Sequence, residues 1–212
     1  MTYDLCVITD AGLSRGRSHL EVVRAAVRGG ATLVQLREKN ASTRAMVELG
    51  QELRGLTRKA GVPLIVNDRV DVALAADADG VHVGQDDMPA TLARRIIGPN
   101  MILGVSATSF EEALRAEQDG ADYLGVGPIF ATGSKADAAP PMGLDGLSAV
   151  ATRVSIPIVA IGGISLQNVD AVVEAGADGI AIISAVVGAP DVEQAARLLI
   201  SAVRAQRSRM AR

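Results

Sequence analysis

Three polar side chains at alternate positions form the clearest chemical pattern in the sequence. Gln35, Arg37 and Lys39 stand two residues apart at the end of an apolar run. Because side chains alternate across a β-strand, an extended backbone would place all three on one face, roughly 6.5–7 Å apart. Two cations and an amide on one face suit a multiply charged anion. A solvated strand end with ordinary surface charges is the alternative interpretation.

Two carboxylates could add a metal ion to such an anion site. Asp68 and Asp87 each follow a short apolar run. If those runs are neighbouring strands about 4.8 Å apart, both carboxylates can reach one cation. Magnesium is commonly held by one or two carboxylates together with waters and phosphate oxygens. The alternatives are that both residues cap helices, or that Asp86 takes the place of Asp87.

Small residues that follow two later apolar runs predict a second anion-binding site, one that lacks charged side chains. Gly162-Gly163 and Ser184 occupy these positions. Backbone N–H groups at such turns, together with a helix N-terminus, bind monophosphates in barrel enzymes. Tight turns that only need glycine are the alternative. Together, the two anion sites indicate two phosphorylated substrates.

Side chains for nucleophilic catalysis are scarce. The only histidines are His19, at a predicted helix start, and His82, inside a predicted strand, and we interpret both as structural. The single cysteine, Cys6, lies in an apolar run and is interpreted as a small core residue. We therefore predict no Ser–His or Cys–His mechanism.

Eight strand-like runs alternate with helical periodicity along the 212 residues. This pattern predicts a single α/β domain over residues 1–212, a (β/α)8 TIM-type barrel, whose active site gathers at the C-terminal ends of the strands. Related tripeptides at 30–32, 78–80, 120–122 and 176–178 precede alternate strands and support a closed repeating architecture. An open doubly wound sheet is the alternative. The predicted strands are Leu5–Thr9, Leu33–Arg37, Leu64–Val66, Val81–Val83, Met101–Val105, Tyr123–Val126, Ile158–Ile161 and Ile180–Ile183.

Composition and charge exclude several classes of protein. The net charge of −3 and the scattered basic residues argue against a nucleic-acid partner. The N-terminus lacks a signal-peptide pattern and no run approaches about 18 apolar residues, so we expect a cytoplasmic protein with no membrane partner. One cysteine excludes an intrachain disulfide framework and gives no zinc-binding spacing. Homo-oligomerisation is left open.

Eight segments in the right order resemble the thiamine-phosphate synthase family, and the match covers nearly the whole chain. The resemblance implies a TIM-like barrel that uses Mg²⁺. It also implies a reaction in which a hydroxymethylpyrimidine diphosphate joins a thiazole phosphate and pyrophosphate is released, through a dissociative, carbocation-like step. The segments are Tyr3–Asp10 (YDLCVITD), Gln35–Lys39 (QLREK), Asn67–Asp71 (NDRVD), Gly80–Asp87 (GVHVGQDD), Gly104–Ser106 (GVS), Asp122–Phe130 (DYLGVGPIF), Ala160–Ile164 (AIGGI) and Gly176–Ala185 (GADGIAIISA).

The resemblance also implies roles for individual residues. Asp68 and Asp87 match the magnesium ligands. Positions that match the pyrimidine-diphosphate contacts are Gln35, Leu36, Arg37, Glu38, Lys39, Asn67, Ser106 and Lys135, and the candidate catalytic residues among them are Arg37, Lys39, Ser106 and Lys135. Positions in the thiazole-phosphate segments are Thr132, Gly133, Ser134, Gly163, Ile183 and Ser184.

The chain departs from the family pattern at two places. Thr108 stands where the family often has histidine, and Thr132-Gly133-Ser134-Lys135 stands where it often reads TxTK. Ser134 keeps a hydroxyl, whereas Gly133 loosens the loop. The related thiazole tautomerases move a proton with a histidine in the segment of Thr108, so its absence favours a synthase. We expect the 127–143 loop to act as a lid.

Two other functions remain as alternatives to the synthase. A non-catalytic phosphate-binding barrel that senses a metabolite would bind ligand without releasing pyrophosphate. A Schiff-base aldolase or isomerase would use Lys39 or Lys135 as its nucleophile and would need no magnesium.

Overall fold

Eight parallel strands form a closed barrel in which each strand pairs with the next and the last pairs with the first. The structure is a computed structural model that describes residues 2–134 and 139–211. The strands are β1 Leu5–Ile8, β2 Leu33–Leu36, β3 Leu64–Asn67, β4 Gly80–Val83, β5 Ile102–Ala107, β6 Tyr123–Val126, β7 Ile158–Ile161 and β8 Gly179–Ile182. The predicted (β/α)8 barrel is confirmed.

Helices follow the strands and cover the outside of the barrel. They are α1 His19–Arg28, α2 Thr43–Ala60, α3 Val70–Ala75, α4 Ala90–Ile97, α5 Phe110–Gln118, α6 Gly143–Ala151, α7 Val169–Glu174, α8 Ser184–Val187 and α9 Val192–Met210. The short helix α8 was not expected from the sequence, because one helical turn leaves no periodic pattern. In the parts of the chain that the structure describes, none of these helices combines the length and apolar character needed to cross a bilayer.

Alternate residues of each strand face the barrel interior or the surrounding helices. In β2, Leu33 belongs to the interior cluster with Ile65 and Val159. Its neighbours Val34 and Leu36 pack instead with Leu53 and other residues on the helix side. Both faces of the sheet are therefore buried, which is why the strands read as continuous apolar runs.

The tripeptides that precede alternate strands close one end of the barrel. Each tripeptide contains one residue that makes two hydrogen bonds to a single residue at the start of a strand. Its side-chain oxygen accepts from the backbone N–H of that strand residue, and its backbone N–H donates to the carbonyl of the same strand residue. A buried strand terminus is thereby satisfied twice by one residue. The pairs are Thr32 with Leu5, Asp79 with Leu64, Asp122 with Leu103 and Asp178 with Ile158, at side-chain N···O distances of 3.0, 2.8, 2.7 and 2.8 Å.

A buried carboxylate ties the two ends of the chain together. Asp4, whose side chain is 4% exposed, precedes β1 and contacts two arginines of α9. Arg204 Nε lies 2.9 Å from Asp4 Oδ2, and Arg207 Nη1 lies 2.6 Å from Asp4 Oδ1. The last helix is therefore anchored to the first strand.

Removing one of the repeated side-chain acceptors tests this account of barrel closure. We expect Asp178→Ala to lower the free energy of unfolding by about 1–3 kcal/mol, because the buried N–H of Ile158 loses an acceptor. Asp178→Asn keeps an acceptor oxygen and should cost clearly less. The free energies of unfolding of both variants are measured by urea denaturation. Equal losses of stability in the two variants would contradict the role of this hydrogen bond.

Candidate active site

Polar residues that follow the strands meet in one cavity of about 270 Å³ at the C-terminal end of the barrel. Its opposite walls come from early and late strands, as expected for a barrel mouth. Most of the candidate site residues line it, so the structure brings together segments that are far apart in the sequence. Those that line it are Gln35, Arg37, Lys39, Asn67, Asp68, Asp87, Ser106, Thr132, Ser134, Gly163, Ile183 and Ser184.

Leu36 does not present its side chain to this cavity. The side chain is fully buried on the helix side of β2, in a cluster with Val23 and Leu53. This follows from strand alternation, because its neighbours Gln35 and Arg37 both face the cavity. Any ligand contact at Leu36 would therefore involve its backbone.

The carboxylate of Glu38 also turns away from the cavity. Its Oε2 lies 3.0 Å from Nε2 of His19, and its Oε1 accepts a hydrogen bond from the Asn40 N–H. Burial opposes the charge of Glu38, but these two contacts together lower its pKa. The pair stabilises the turn between Arg37 and Asn40, which also carries Lys39.

The remaining two candidates lie in the loop after β6. Gly133 sits between two residues that line the cavity but does not line it itself. Lys135, one of the candidate catalytic residues, lies outside the described residues, as does the centre of the predicted 127–143 lid. The described part of this loop is held near β7, because Ile129 N–H donates to Ile161 O at 2.9 Å and Phe130 N–H donates to Gly162 O at 3.0 Å.

The guanidinium of Arg37 is fixed by residues that follow β1. Arg37 Nη1 lies 2.5 Å from Asp10 Oδ2, and both side chains are largely buried. Thr9 Oγ accepts a hydrogen bond from the Arg37 backbone N–H at 3.0 Å. Thr9 and Asp10 are not among the site residues predicted from the sequence. Their position directly after the first apolar run is the signal that could have identified them.

Two carboxylates converge beside this cation. The pKa of Asp68 is raised to about 6, first by burial and then by the hydrogen-bonded carboxyl group of Asp87. The positive charge of Lys39 lowers the pKa of Asp68, and Lys39 Nζ lies 3.7 Å from Asp68 Oδ2. Asp86 also lines the cavity, but it is exposed. Crowded acidic oxygens of this kind suit a hard divalent cation.

Neither carboxylate has the helix-capping role considered as an alternative. The cap of α3 is Arg69, without a side-chain hydrogen bond, and the cap of α4 is Pro89. Asp87 Oδ2 instead accepts a hydrogen bond from the Gly84 N–H at 2.7 Å. The described residues contain no group of three or more His, Cys, Asp or Glu side chains that could hold a metal. A cation at this pair would also need oxygens from water or ligand.

The opposite wall presents backbone rather than charged side chains. Gly162 and Gly163 have φ values of 99° and 64°. A Cβ on Gly163 would lie 2.7 Å from Ala131 O, so only glycine allows the two loops to approach this closely. Ser184 begins helix α8 beside them. The first N–H groups of a helix lack intrahelical partners and can bind an anion.

A hydrogen-bonded row of three side chains, His82, Tyr123 and Ser106, forms part of the cavity lining. The ring of His82 contacts the hydroxyl of Tyr123 through Nδ1 and the hydroxyl of Ser106 through Nε2, both at 2.9 Å. Burial lowers the pKa of His82 to about 4, so the ring is neutral at neutral pH. From the sequence, His82 was predicted to be structural, and Tyr123 was not among the predicted site residues.

Thr108, which departs from the pattern of the family that the sequence resembles, is hydrogen-bonded to the next helix. Thr108 lines the cavity, and its backbone N–H and its hydroxyl both donate to Glu112 Oε2, at 2.6 and 2.9 Å. Its hydroxyl proton is therefore already used within the protein. Gln85 lies nearby and donates to the Ser106 carbonyl at 2.7 Å.

Comparisons with known proteins agree with this arrangement. The family model described as thiamine monophosphate synthase matches residues 5–186. The chain is 71% identical to the thiamine-phosphate synthase of Chloroflexus aurantiacus, over 92% of this chain and 90% of that protein. It is 58% identical to that of Moorella thermoacetica, with coverage of 93% and 94%. The solved thiamine phosphate pyrophosphorylase from Pyrococcus furiosus superposes with a TM-score of 0.90 at 50% identity and covers 96% of each chain. The resemblance inferred from the sequence is confirmed.

Two lysines provide a matched test of the charged wall. We expect Lys39→Ala to weaken binding of inorganic pyrophosphate, measured calorimetrically with magnesium present, by roughly tenfold or more, because an anion loses a charged partner. Lys59→Ala removes the same charge from the exposed surface of α2 and should leave the affinity unchanged. If both substitutions weakened pyrophosphate binding equally, the affinity would depend on the net charge of the protein and not on the position of Lys39.

Proposed function

The chain belongs to the thiamine monophosphate synthase family, and on that basis we propose that it condenses 4-amino-2-methyl-5-(diphosphooxymethyl)pyrimidine with a thiazole phosphate. The products are thiamine phosphate and pyrophosphate. One observation carries the proposal: Arg37, Lys39, Asp68 and Asp87 line the same cavity as the backbone wall at Gly163. A polyanion and a monophosphate can therefore bind at one barrel mouth.

The cationic side chains receive the diphosphate. Arg37 is held in place by Asp10, and Lys39 extends from the same strand end. Their charges stabilise the negative charge that develops as the bond between the pyrimidine methylene carbon and the diphosphate oxygen breaks. Because Arg37 is oriented before the substrate binds, little reorganisation is needed at that moment.

Asp68 and Asp87 are the proposed ligands of Mg²⁺. Two crowded carboxylates, one of them with a raised pKa, form a donor set that suits this ion. Bound magnesium would neutralise charge on the departing diphosphate. The protein's own part is to hold the two carboxylates close to each other. The Gly84 N–H helps to fix one of them by donating a hydrogen bond to Asp87 Oδ2.

The thiazole phosphate is assigned to the opposite wall. Backbone N–H groups near Gly163 and Ser184 would bind its monophosphate, and Thr132 and Ser134 offer hydroxyl groups from the adjoining loop. This arrangement directs the thiazole nitrogen toward the pyrimidine methylene carbon, where the new bond forms. Lys135 is proposed to contact the diphosphate, on the strength of the family resemblance alone.

The described residues that line the cavity support a reaction without a protein nucleophile. Burial raises the pKa of Cys6 to about 12, so its thiol stays protonated. The neutral ring of His82 lines the cavity, but its Nδ1 lies 2.9 Å from the Tyr123 hydroxyl and its Nε2 lies 2.9 Å from the Ser106 hydroxyl. The electron-rich aminopyrimidine can instead carry positive charge while the diphosphate leaves, which gives a dissociative path. Excluding water from the site would protect that cation from hydrolysis.

The two alternative functions differ in what they predict. A metabolite sensor with this cavity would bind phosphorylated ligands and release nothing. A Schiff-base enzyme would need an activated lysine, and such lysines are typically desolvated or placed beside another cation. Lys39 is instead half-exposed and next to the carboxylate of Asp68.

A direct assay separates these functions. Purified protein is incubated with both phosphorylated precursors and magnesium, and pyrophosphate and thiamine phosphate are measured together. We expect equal amounts of both products, and none when the thiazole phosphate or magnesium is omitted. Binding of both precursors without pyrophosphate release would contradict the synthase and support a sensor.

Substitution of neighbouring aspartates tests the metal ligands. We expect Asp87→Asn to lower turnover by roughly 10²–10³, because a preorganised charged group at the departing diphosphate is lost. Asp86→Asn removes the same charge one residue earlier and should have a much smaller effect. Pyrophosphate release is measured over a range of magnesium concentrations. A larger loss of turnover in Asp86→Asn than in Asp87→Asn would indicate that Asp86, and not Asp87, is the metal ligand.

A further inference from the structure

The turn that follows β7 carries a backbone donor without a partner in the described part of the protein. Ile164 lines the cavity and is 5% exposed. Among the residues that the structure describes, no backbone or side-chain oxygen accepts a hydrogen bond from its N–H. Because buried N–H groups are almost always paired, we expect the acceptor of this one to be water or a ligand in the cavity.

The carbonyl of the same peptide group is held by a side chain. Asn168 Nδ2 donates a hydrogen bond to Gly163 O at 2.9 Å, and Asn168 Oδ1 accepts one from the Ser165 N–H at 2.8 Å. Because the Ser165 N–H can only donate, it must face the carboxamide oxygen, and the NH₂ group is left for the Gly163 carbonyl. The two ends of the carboxamide are therefore distinguished by their partners.

Asn168 is itself fixed from outside the cavity. It does not line the cavity, and it directly precedes α7. Its backbone N–H donates to Ser165 O at 3.2 Å, and the N–H of the next residue, Val169, donates to the same oxygen at 3.0 Å. Val169 is fully buried, so the backbone that carries Asn168 is anchored in the core. Asn168 can therefore act on a ligand through the backbone that it holds.

Glycine at position 163 makes this restraint necessary. Gly163 has a φ of 64°, and a residue without a Cβ allows the peptide group that follows it more than one orientation. In a planar trans peptide the C=O and the N–H point in opposite directions. Because the carbonyl is turned toward Asn168 and α7, the Ile164 N–H points away from them, toward the cavity. The opposite orientation would place a carbonyl oxygen in the cavity, where it would repel an anion.

We infer that Asn168 is a positioning residue that holds the Gly163–Ile164 peptide group with its N–H directed into the cavity. The ligand group that suits this donor is an oxyanion, because backbone N–H groups at such turns bind phosphate oxygens. The identification of that oxyanion as the thiazole phosphate rests on the proposed function, whereas the orientation of the peptide group does not.

Selective isotope labelling isolates this peptide group without any substrate. The sequence has two Gly–Ile pairs, Gly163–Ile164 and Gly179–Ile180, so carbonyl-¹³C glycine combined with ¹⁵N isoleucine selects two amide signals. Ile164→Val removes one signal and thereby assigns both. The Ile180 N–H donates to Asp4 O at 3.2 Å and serves as the internal reference. We expect inorganic phosphate to shift the Ile164 signal and not the Ile180 signal. An Ile164 signal that does not move would overturn the inference.

Substitution of Asn168 tests its role in the same titration. We expect Asn168→Ala to weaken phosphate binding, measured by the Ile164 signal, by about tenfold, because the N–H is no longer held toward the ligand. Gln167→Ala shortens the exposed neighbouring side chain and should leave the affinity unchanged. Equal affinities in Asn168→Ala and the unaltered protein would overturn the positioning role.

The Ile180 signal also shows whether Asn168→Ala is folded. If it is not, Asn168→Asp takes its place, because a carboxylate keeps the acceptor for the Ser165 N–H but has no donor for the Gly163 carbonyl. Gln167→Asp places the same charge on the neighbouring residue and is the control for this variant. Equal losses of phosphate affinity in the two variants would show an effect of charge alone and would overturn the positioning role.

Kinetics extend the test to the proposed substrates. We expect Asn168→Ala to raise the KM for the thiazole phosphate by about tenfold and to leave the KM for the pyrimidine diphosphate unchanged, whereas Gln167→Ala should change neither value. Equal changes in both KM values would overturn the positioning role, because a general loss of structure would affect both substrates. If the unaltered protein turns over neither precursor, the proposed function fails, and the phosphate titration alone decides the orientation of the peptide group.

Discussion

The closed ring of parallel strands is the constraint on which the site depends. Within each strand every second side chain faces the interior, and closure brings all the C-terminal strand ends to one mouth. Gln35 and Arg37 therefore line the cavity, whereas Leu36 between them packs against the helices. At the other end, residues such as Asp178 satisfy the strand termini. Stability and chemistry thus occupy opposite ends of the barrel.

Electrostatics divides the mouth into two unlike walls. Arg37 and Lys39 lie beside two carboxylates, and burial disfavours the charge on Asp68. The wall at Gly163 presents backbone groups, which bind an anion without adding charge. Such a division suits two substrates of different charge, because the polyanion and the monophosphate are each drawn to a different wall. It agrees with the family to which the chain belongs.

Local sequence patterns were sufficient for the architecture and for much of the cavity lining. Alternating apolar runs and recurring tripeptides predict the barrel, and polar residues at strand ends predict Arg37 and Asp68. The partners of these residues were missed. Arg37 and Asp10 are separated by 27 residues, and His82 and Tyr123 by 41. No pattern within a single segment contains such a contact, because it depends on which strands become neighbours.

The sequence by itself determined the eight-unit barrel, the family, and the types of residue that follow each strand. Only the tertiary structure decided what those residues contact. It showed that Asp68 faces Asp87 rather than capping a helix, that Asp10 fixes Arg37, and that a neutral His82 joins Tyr123 to Ser106. The reason is physical. Periodicity and turn chemistry act within a few residues, whereas burial, hydrogen-bond partners and pKa values depend on strand register and barrel closure.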